Sequence, residues 1–334
     1  MKSSKKAKGI GLLSGGLDSM LAVKVLQEQQ IDLLAITFAT PFFGPLKGLA
    51  AGKKAAIETR VLDISQAYLE MLKNPRYGYG SQLNPCIDCH GLMLREAAKL
   101  METENADFLF TGEVLGQRPM SQRRDSLRSV EKLSGVPGYI LRPLSAKLLP
   151  PTKVEQEGLV DRNMLLDIQG RSRKRQKELA RKFELTDYPQ PGGGCMLTSE
   201  GFSNRLRKLL CTRPSATVED VEIIKWGRAF ILSGKTICMV GRRQNENDKL
   251  DSLARTQDIL LRATGWPGPT CLLVAPDGHR DINLAATLAA TYSDAPKQAQ
   301  VDVQWLAGGQ GRGGQTGTCS TEAKTKDFFK QMLI

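Results

Sequence analysis

Gly9-Ile-Gly-Leu-Leu-Ser-Gly-Gly-Leu-Asp-Ser19 is the stretch on which the fold turns. Gly9 to Leu13 is short and apolar, and predicts a buried strand. Met20 to Gln29 predicts a helix, with Leu21, Val25 and Leu26 on one face. Between them, Ser14 to Ser19 forms a turn. Glycines there let the backbone turn tightly and approach a phosphate. The helix N-terminus that follows offers free N–H groups and the positive end of a dipole. Ser14 and Ser19 add hydroxyls. Asp18 is out of place beside phosphate unless it holds Mg²⁺. This turn is not a Walker-type loop, which would need Lys in the sequence Gly-Lys-Ser/Thr. The plain structural alternative is a Gly turn with a Ser or Asp cap.

Outward from this unit, Ile31 to Phe38, Thr59 to Ile64, Ala106 to Thr111 and Tyr139 to Leu141 read as strands, and Leu92 to Met101 as an amphipathic helix. Alternating strands and helices predict an α/β fold, a mostly parallel sheet with helices on both faces. Ligands in such sheets bind beyond the carboxyl ends of the strands. Ser14 to Ser19 and Thr111 to Gln117 both fall there. The character changes after Asp187: Tyr188-Pro-Gln-Pro-Gly-Gly-Gly194 is a break. Beyond it lie a basic helix over 203–210, strands near Phe230, over 237–240 and over 270–274, and a Gly-rich loop over 308–317. The expected organisation is an α/β domain over 1–187, a hinge over 188–199 carrying Cys195, a smaller α+β domain over 200–305, and a loop and tail over 306–334.

Of the 334 residues 41% are hydrophobic and 25% charged, a globular balance. No apolar run nears the roughly 20 residues that span a bilayer, and Gly9 to Leu13 is too short for a signal-peptide core. The expectation is a cytoplasmic protein with no membrane contact. Seven cysteines then read as reduced thiols, metal ligands or redox groups. The net charge of +12 favours a polyanion such as nucleic acid over mere solubility. Two basic runs carry much of it. Gln117 to Arg128 borders the predicted site and offers Arg123 and Arg124. Arg171 to Lys177 offers Arg171, Arg173, Lys174 and Arg175. A solvated helix face is the bland reading of either.

Ser14-Gly-Gly-Leu-Asp-Ser19, between an N-terminal strand and a helix, resembles the signature of the PP-loop ATP pyrophosphatases, which cleave ATP to AMP and pyrophosphate and adenylate a carbonyl-type oxygen. The resemblance implies an adenine nucleotide alpha hydrolase-like, Rossmann-like fold. It also implies that Ser14, Gly15, Gly16, Asp18 and Ser19 hold the ATP phosphates and Mg²⁺, with Asp18 catalytic. Thr111-Gly-Glu-Val-Leu-Gly-Gln117, Met120-Ser-Gln122 and Leu141-Arg-Pro-Leu144 resemble the corresponding run in tRNA 4-thiouridine synthetases, adding Thr111, Gly112 and Gln117 to the nucleotide site. Asn84-Pro-Cys-Ile-Asp-Cys89 is similar to a loop of tRNA 2-thiouridylases. The likeness covers about residues 8–200 and lacks the long N-terminal RNA-binding region of the 4-thiouridine enzymes. Gly227-Arg-Ala-Phe-Ile-Leu232 and Val240-Gly-Arg-Arg-Gln-Asn-Glu-Asn247 look like the RNA-binding domain of the NFACT group, over about 200–305, with Ala229 where a larger polar residue is usual. Arg228, Arg242 and Arg243 are its candidates for phosphate contact. With aromatics at 6%, base stacking is not expected to be the main grip.

The cysteines admit several readings. Cys86-Ile-Asp-Cys-His90 matches a haem c attachment pattern, which needs an exported protein. A thioredoxin-like pair needs the motif to open a helix. Zinc wants four ligands and finds three, and inert buried thiols are common. The resemblance implies two further roles for Cys86, Cys89 and Cys195. They are ligands of a [4Fe–4S] cluster whose open iron holds sulfide, or Cys89 and Cys195 are a catalytic persulfide and resolving pair. Cys86, where the 2-thiouridylases usually have Asp, favours the cluster. The expected activity is an AMP-forming tRNA sulfurtransferase, using ATP, Mg²⁺ and a sulfur donor (sulfide or a cysteine desulfurase persulfide), with tRNA as partner and a homodimer as its assembly. The rivals are a PP-loop amide-forming ligase and an RNA-binding adaptor, with C-x-x-C as structural zinc.

Overall fold

The computed structural model describes residues 6–189, 194–233, 236–276, 278–308 and 314–334. The chain divides into two compact units, Met1–Ser199 and Glu200–Ile334.

In the first unit the elements run β1 (Lys8–Leu12), α1 (Leu17–Gln27), β2 (Asp32–Ala39), α2 (Leu46–Ala55), β3 (Thr59–Asp63), α3 (Ser65–Lys73), α4 (Cys86–Thr103), β4 (Phe108–Thr111), α5 (Arg124–Ser134), β5 (Ile140–Leu141), α6 (Lys153–Gln156) and α7 (Lys174–Lys182). The strands form one sheet in the order β3-β2-β1-β4-β5, and every pair is parallel. This is the α/β fold the sequence predicts. The chain moves outward from β1 to β3, then crosses back to β4, so the direction of winding reverses between β1 and β4. A crevice opens at such a reversal beyond the carboxyl ends of the strands. Leu12 of β1 pairs with Thr111 of β4 at that edge, so Ser14–Ser19 and Thr111–Gln117 emerge side by side.

Glycines in β1 have a packing reason. A Cβ at Gly9 would lie 2.7 Å from the Phe108 ring and one at Gly11 2.2 Å from the Phe110 ring. Bare backbone in the central strand makes room for two aromatic rings, both fully buried. Each such ring contributes roughly 1.5–3 kcal/mol of hydrophobic stabilisation. Helix α1 packs on α2 and α7, while α4 packs on α3 and α5, giving the two covering layers. Helix α2 was not legible, because Leu46–Ala55 carries Gly48 and Gly52, which lower helix propensity. A Cβ at Gly48 would meet Thr37 and one at Gly52 would meet Thr59, so these glycines seat α2 on β2 and β3. Helix α4 begins at Cys86 rather than Leu92.

The second unit contains α8 (Glu200–Thr212), α9 (Val218–Ile223), β6 (Arg228–Leu232), β7 (Thr236–Val240), α10 (Gln244–Leu253), β8 (Ile259–Ala263), β9 (Cys271–Val274), α11 (His279–Tyr292), β10 (Gln300–Ala307) and β11 (Thr316–Glu322), then a 3₁₀ segment over Lys326–Met332. Its six strands form an antiparallel sheet, β11-β10-β8-β9-β7-β6. Helix α11 lies on it through Ala285, Ala286, Ala289 and Ala290, all fully buried. The stretch read as a separate tail over 306–334 joins this unit: β11 pairs with β10, and Phe329 is fully buried. Of the Gly-rich loop at 308–317, residues 309–313 lie outside the described residues, as do 190–193 of the break before Cys195. Among the described residues no helix is long and apolar enough to cross a membrane.

Candidate nucleotide and thiol site

The turn after β1 has the geometry of an anion cradle. Gly15 has φ +85°, the left-handed region that glycine adopts freely. A Cβ there would lie 2.6 Å from the Lys47 backbone, so the first turn of α2 is seated directly on the loop. Gly16 is the N-cap of α1, and no side chain caps the helix. Ser14 Oγ accepts from Gly16 N at 3.3 Å, and Ser19 Oγ donates to Gly16 O at 2.8 Å, which holds both hydroxyls on the turn. From the other strand, Gly112 presses on the same helix start: a Cβ would lie 2.5 Å from both Asp18 C and Ser19 N.

Asp18 sits at the centre of an incompletely satisfied polar group. Gln117 Nε2 donates to Asp18 Oδ2 at 2.8 Å, and Gln117 Oε1 accepts from Gln176 Nε2 at 3.0 Å. The Arg173 guanidinium lies 3.6 Å from Asp18 Oδ2. Asp18 Oδ1, Arg173 Nε and Gln176 Oε1 are buried without a hydrogen-bond partner. Buried polar atoms are normally satisfied, so these mark a place for a ligand. An anionic oxygen suits a cation, and a guanidinium suits phosphate. Arg173 is therefore set apart from the basic run to which the sequence assigns it: it faces Asp18 and is only 14% exposed.

Cys86 and Cys89 do not lie in a loop, as the sequence reading had it. They occupy the first turn of α4, after Pro85 at the N-cap. Proline's fixed φ and missing N–H suit a helix start, and the i, i+3 spacing then puts both thiols on one face. Asp88 accepts from Arg76 N at 2.8 Å and Tyr77 N at 2.9 Å, pinning the preceding loop to this turn. Cys195 reaches the same place from the other end of the unit. Met196 N donates to Phe42 O at 3.1 Å, and the Phe42 and Phe43 rings flank Tyr68 at 5.2 and 5.7 Å. Tyr68 is 1% exposed, and its hydroxyl is hydrogen-bonded to Cys89. The Cys89 thiol is pushed up to about 12 by burial, with Cys195 and Cys86 adding to the rise and Tyr68 opposing it. Cys195 is pushed up to about 11, again chiefly by burial, with a contribution from Cys86. The three thiols, each partly buried, thus lie within electrostatic reach of one another, and Cys89 and Cys195 carry their protons at neutral pH. Among the described residues, no three of His, Cys, Asp and Glu are close enough to coordinate a single metal ion. The arrangement does not supply the compact tetrahedral set of structural zinc. Cys86 and Cys89 from one segment and Cys195 from another are thus brought into one neighbourhood.

A buried ion pair joins the two halves. His90 Nδ1 is 2.7 Å from Glu113 Oε1, and Arg142 Nε donates to Glu113 Oε2 at 3.0 Å. Burial would raise the Glu113 pKa, but Arg142 and His90 outweigh it and hold it at about 2. Thr111 Oγ1 also donates to Glu113, at 3.1 Å, so its hydroxyl faces this pair. Glu113 follows Gly112, which touches the phosphate loop, while His90 follows Cys89. Lys47 is a second link: it is exposed, and its Nζ lies 4.0 Å from where a Cβ on Gly194 would be. Sequence reasoning missed Lys47, Tyr68 and the His90–Glu113 pair, because none of them belongs to a local motif.

The remaining basic candidates divide. Arg123 is the N-cap of α5, and Arg124 donates to Leu148 O at 3.2 Å. Arg175 pairs with Asp167 at 2.6 Å. Arg171 and Lys174 are exposed and form no ion pair among the described residues. In the second unit, Arg242 Nε lies 3.1 Å from both Glu246 carboxylate oxygens, so its charge is internally matched. Arg243 is exposed at the start of α10, and Arg228 opens β6.

These features define a parallel-sheet unit with an anion cradle and a group of three thiols, followed by an antiparallel unit rich in cations. Comparison with known proteins adds two resemblances. Residues 227–327 match the family described as NFACT protein RNA binding domain. Over 144 residues the chain is 27% identical to a probable tRNA sulfurtransferase of Streptococcus pneumoniae strain CGSP14, covering 41% of this chain and 34% of that protein. The same figures hold for the protein of that name from Streptococcus agalactiae serotype Ia. The chain thus spans about a third of the length of the curated relatives it matches. Among solved structures, a predicted tRNA methyltransferase subunit from Methanocaldococcus jannaschii is 15% identical, with a TM-score of 0.34, covering 53% of this chain and 76% of that one. NMN synthetase from Francisella tularensis is 14% identical, with a TM-score of 0.28, covering 57% and 91%. These structural likenesses are too slight to bear on function.

Proposed function

We propose that the chain is an ATP-dependent, AMP-forming tRNA sulfurtransferase. The observation that carries this reading is the continuity of one site. A phosphate cradle with an orphaned Asp18 oxygen is joined through Gly112–Glu113–His90 to a cluster of three partly buried thiols.

ATP lies with its phosphates over Gly15, Gly16 and the α1 N-terminus, with Ser14 and Ser19 as hydroxyl donors and Mg²⁺ at Asp18. Thr111, Gly112 and Gln117 line the same crevice, and Gln117 orients the Asp18 carboxylate. Arg173 neutralises charge on the departing pyrophosphate. A carbonyl oxygen of the target base attacks the α-phosphorus; its bond forms as the bond to the β-phosphate oxygen breaks. The adenylated carbon then accepts sulfur delivered at the thiol pocket, and AMP leaves with the former carbonyl oxygen. Catalysis rests on positioning and on fixed donors aimed at developing charge. Cys86, Cys89 and Cys195 would hold a [4Fe–4S] cluster, whose open iron supplies a position for sulfide. An amide-forming ligase would leave three converging thiols without a task.

The test is pyrophosphate release in the presence of tRNA, followed by mass spectrometry of the tRNA nucleosides. Wild type is expected to release pyrophosphate and yield a thionucleoside, and Asp18→Asn neither. A chain that makes AMP but transfers ammonia instead of sulfur would overturn the reading.

A further inference from the structure

The fold of the second unit gathers residues that lie far apart in sequence. Arg228 opens β6, Tyr292 ends α11, and Lys326 opens the final 3₁₀ segment. The Arg228 guanidinium lies 5.3 Å and the Lys326 ammonium 5.4 Å from the Tyr292 ring centroid. Neither cation forms an ion pair among the described residues. Other cations of this unit, Arg213, Lys225, Arg242, Arg255 and Arg262, are each matched by a carboxylate. A cation resting on a ring face keeps its N–H donors free for an anion.

Beside these cations a row of aromatic rings runs from the core to the surface. Tyr292 is 5.6 Å from Phe230, Phe230 is 6.3 Å from Phe329, and Phe329 is 5.0 Å from Phe328. Phe230 and Phe329 are fully buried, whereas Phe328 is 52% exposed. A single exposed apolar side chain is ordinary, and the C-terminal end of α11 alone would favour cations nearby. Neither explanation accounts for an exposed ring backed by a buried one, two residues from the unmatched Lys326 in the same 3₁₀ segment. That combination suits a nucleotide, whose phosphate needs donors and whose base needs a flat apolar partner.

Resting on the reading of this unit as RNA-binding, we propose that Arg228, Lys326 and Phe328 form a docking patch for an unpaired RNA nucleotide. The cations take its backbone phosphate, Tyr292 holds them in place, and the base stacks on Phe328. Stacking here adds to the phosphate contacts, in line with the expectation that it is not the main grip.

The test uses the full chain and unmodified tRNA, with affinity measured across a salt series. Each lost phosphate contact lowers the logarithmic salt slope by about one, so Arg228→Ala with Lys326→Ala should lower it by about two. Arg228→Lys with Lys326→Arg should restore it. Phe328→Ala should weaken binding about tenfold at constant slope, while Phe328→Tyr, which keeps a ring, binds as wild type. An unchanged slope in the double alanine variant overturns the patch, and so does wild-type affinity in Phe328→Ala. Wild-type protein that fails to bind tRNA at all overturns the RNA reading beneath it.

Discussion

Glu113 carries a charge where burial opposes one, and its neighbours decide the balance. Arg142 and His90 hold its pKa at about 2, below the ordinary carboxylate value near 4.3. A folded-state pKa below the unfolded one contributes stability that is complete above the unfolded value. That stability is lost as pH falls from about 4.3 toward about 2. Glu113→Gln should therefore remove this acid dependence and leave the buried Arg142 with only the more distant Glu131 carboxylate, at 3.8 Å, costing about 3 kcal/mol at pH 7. Urea titrations at pH 7 and pH 3 measure both effects; a variant as stable as wild type at neutral pH would refute the account. A second prediction at this scale concerns Cys86. If the three thiols hold a cluster, anaerobically reconstituted Cys86→Ala, Cys89→Ala and Cys195→Ala each lose most of their iron and acid-labile sulfide, since two ligands hold a cluster poorly. If Cys89 and Cys195 act alone as a persulfide pair, Cys86→Ala keeps thiolation activity and the other two lose it. Full activity without Cys89 would sink both mechanisms.

Gly112 belongs to the scale of elements, because it sets how closely the end of β4 approaches the start of α1. A Cβ there meets the Asp18 and Ser19 backbone at 2.5 Å, a contact that backbone cannot relieve by a side-chain rotation. Gly112→Ala should push α1 away from β4, at a cost of about 1–3 kcal/mol. It should weaken ATP binding more than tenfold with tRNA binding intact. Calorimetric titration with a non-hydrolysable ATP analogue checks this, and wild-type affinity would show that the approach is not needed. How much was legible differs from element to element. Strands β1, β2 and β4 are apolar runs bounded by turn residues, and the phosphate loop is a local motif, so both could be read directly. The sequence places α4 only from Leu92, because the resemblance puts Asn84 to Cys89 in a loop, whereas Pro85 opens the helix. Helix α2 was hidden because its glycines serve packing against Thr37 and Thr59 rather than helix propensity. The Glu113–His90 bridge and the Tyr68–Cys89 contact join residues on different elements, and no local pattern encodes such a meeting.

At the scale of the whole molecule, the net charge of +12 becomes informative only once its matched part is set aside. Arg175, Arg242 and Arg255 are engaged with carboxylates, and Arg173 faces Asp18. Arg171 and Lys174 in the first unit, and Arg228 and Lys326 in the second, form no ion pair among the described residues. If one tRNA engages both units, their phosphate contacts add in the salt dependence, because each releases its own counterions. Linked surfaces also raise one another's effective concentration, so loss of either should weaken binding by more than its own contacts account for. Arg171→Ala with Lys174→Ala should lower the logarithmic salt slope by about two, and all four alanines together by about four. ATP binding measured without tRNA should be unchanged in every variant, since none of these side chains touches the Asp18 network. A fourfold variant whose slope falls no further than that of Arg228→Ala with Lys326→Ala would show that the 171–174 run is a solvated face. The second unit would then carry the RNA contacts without help from the first.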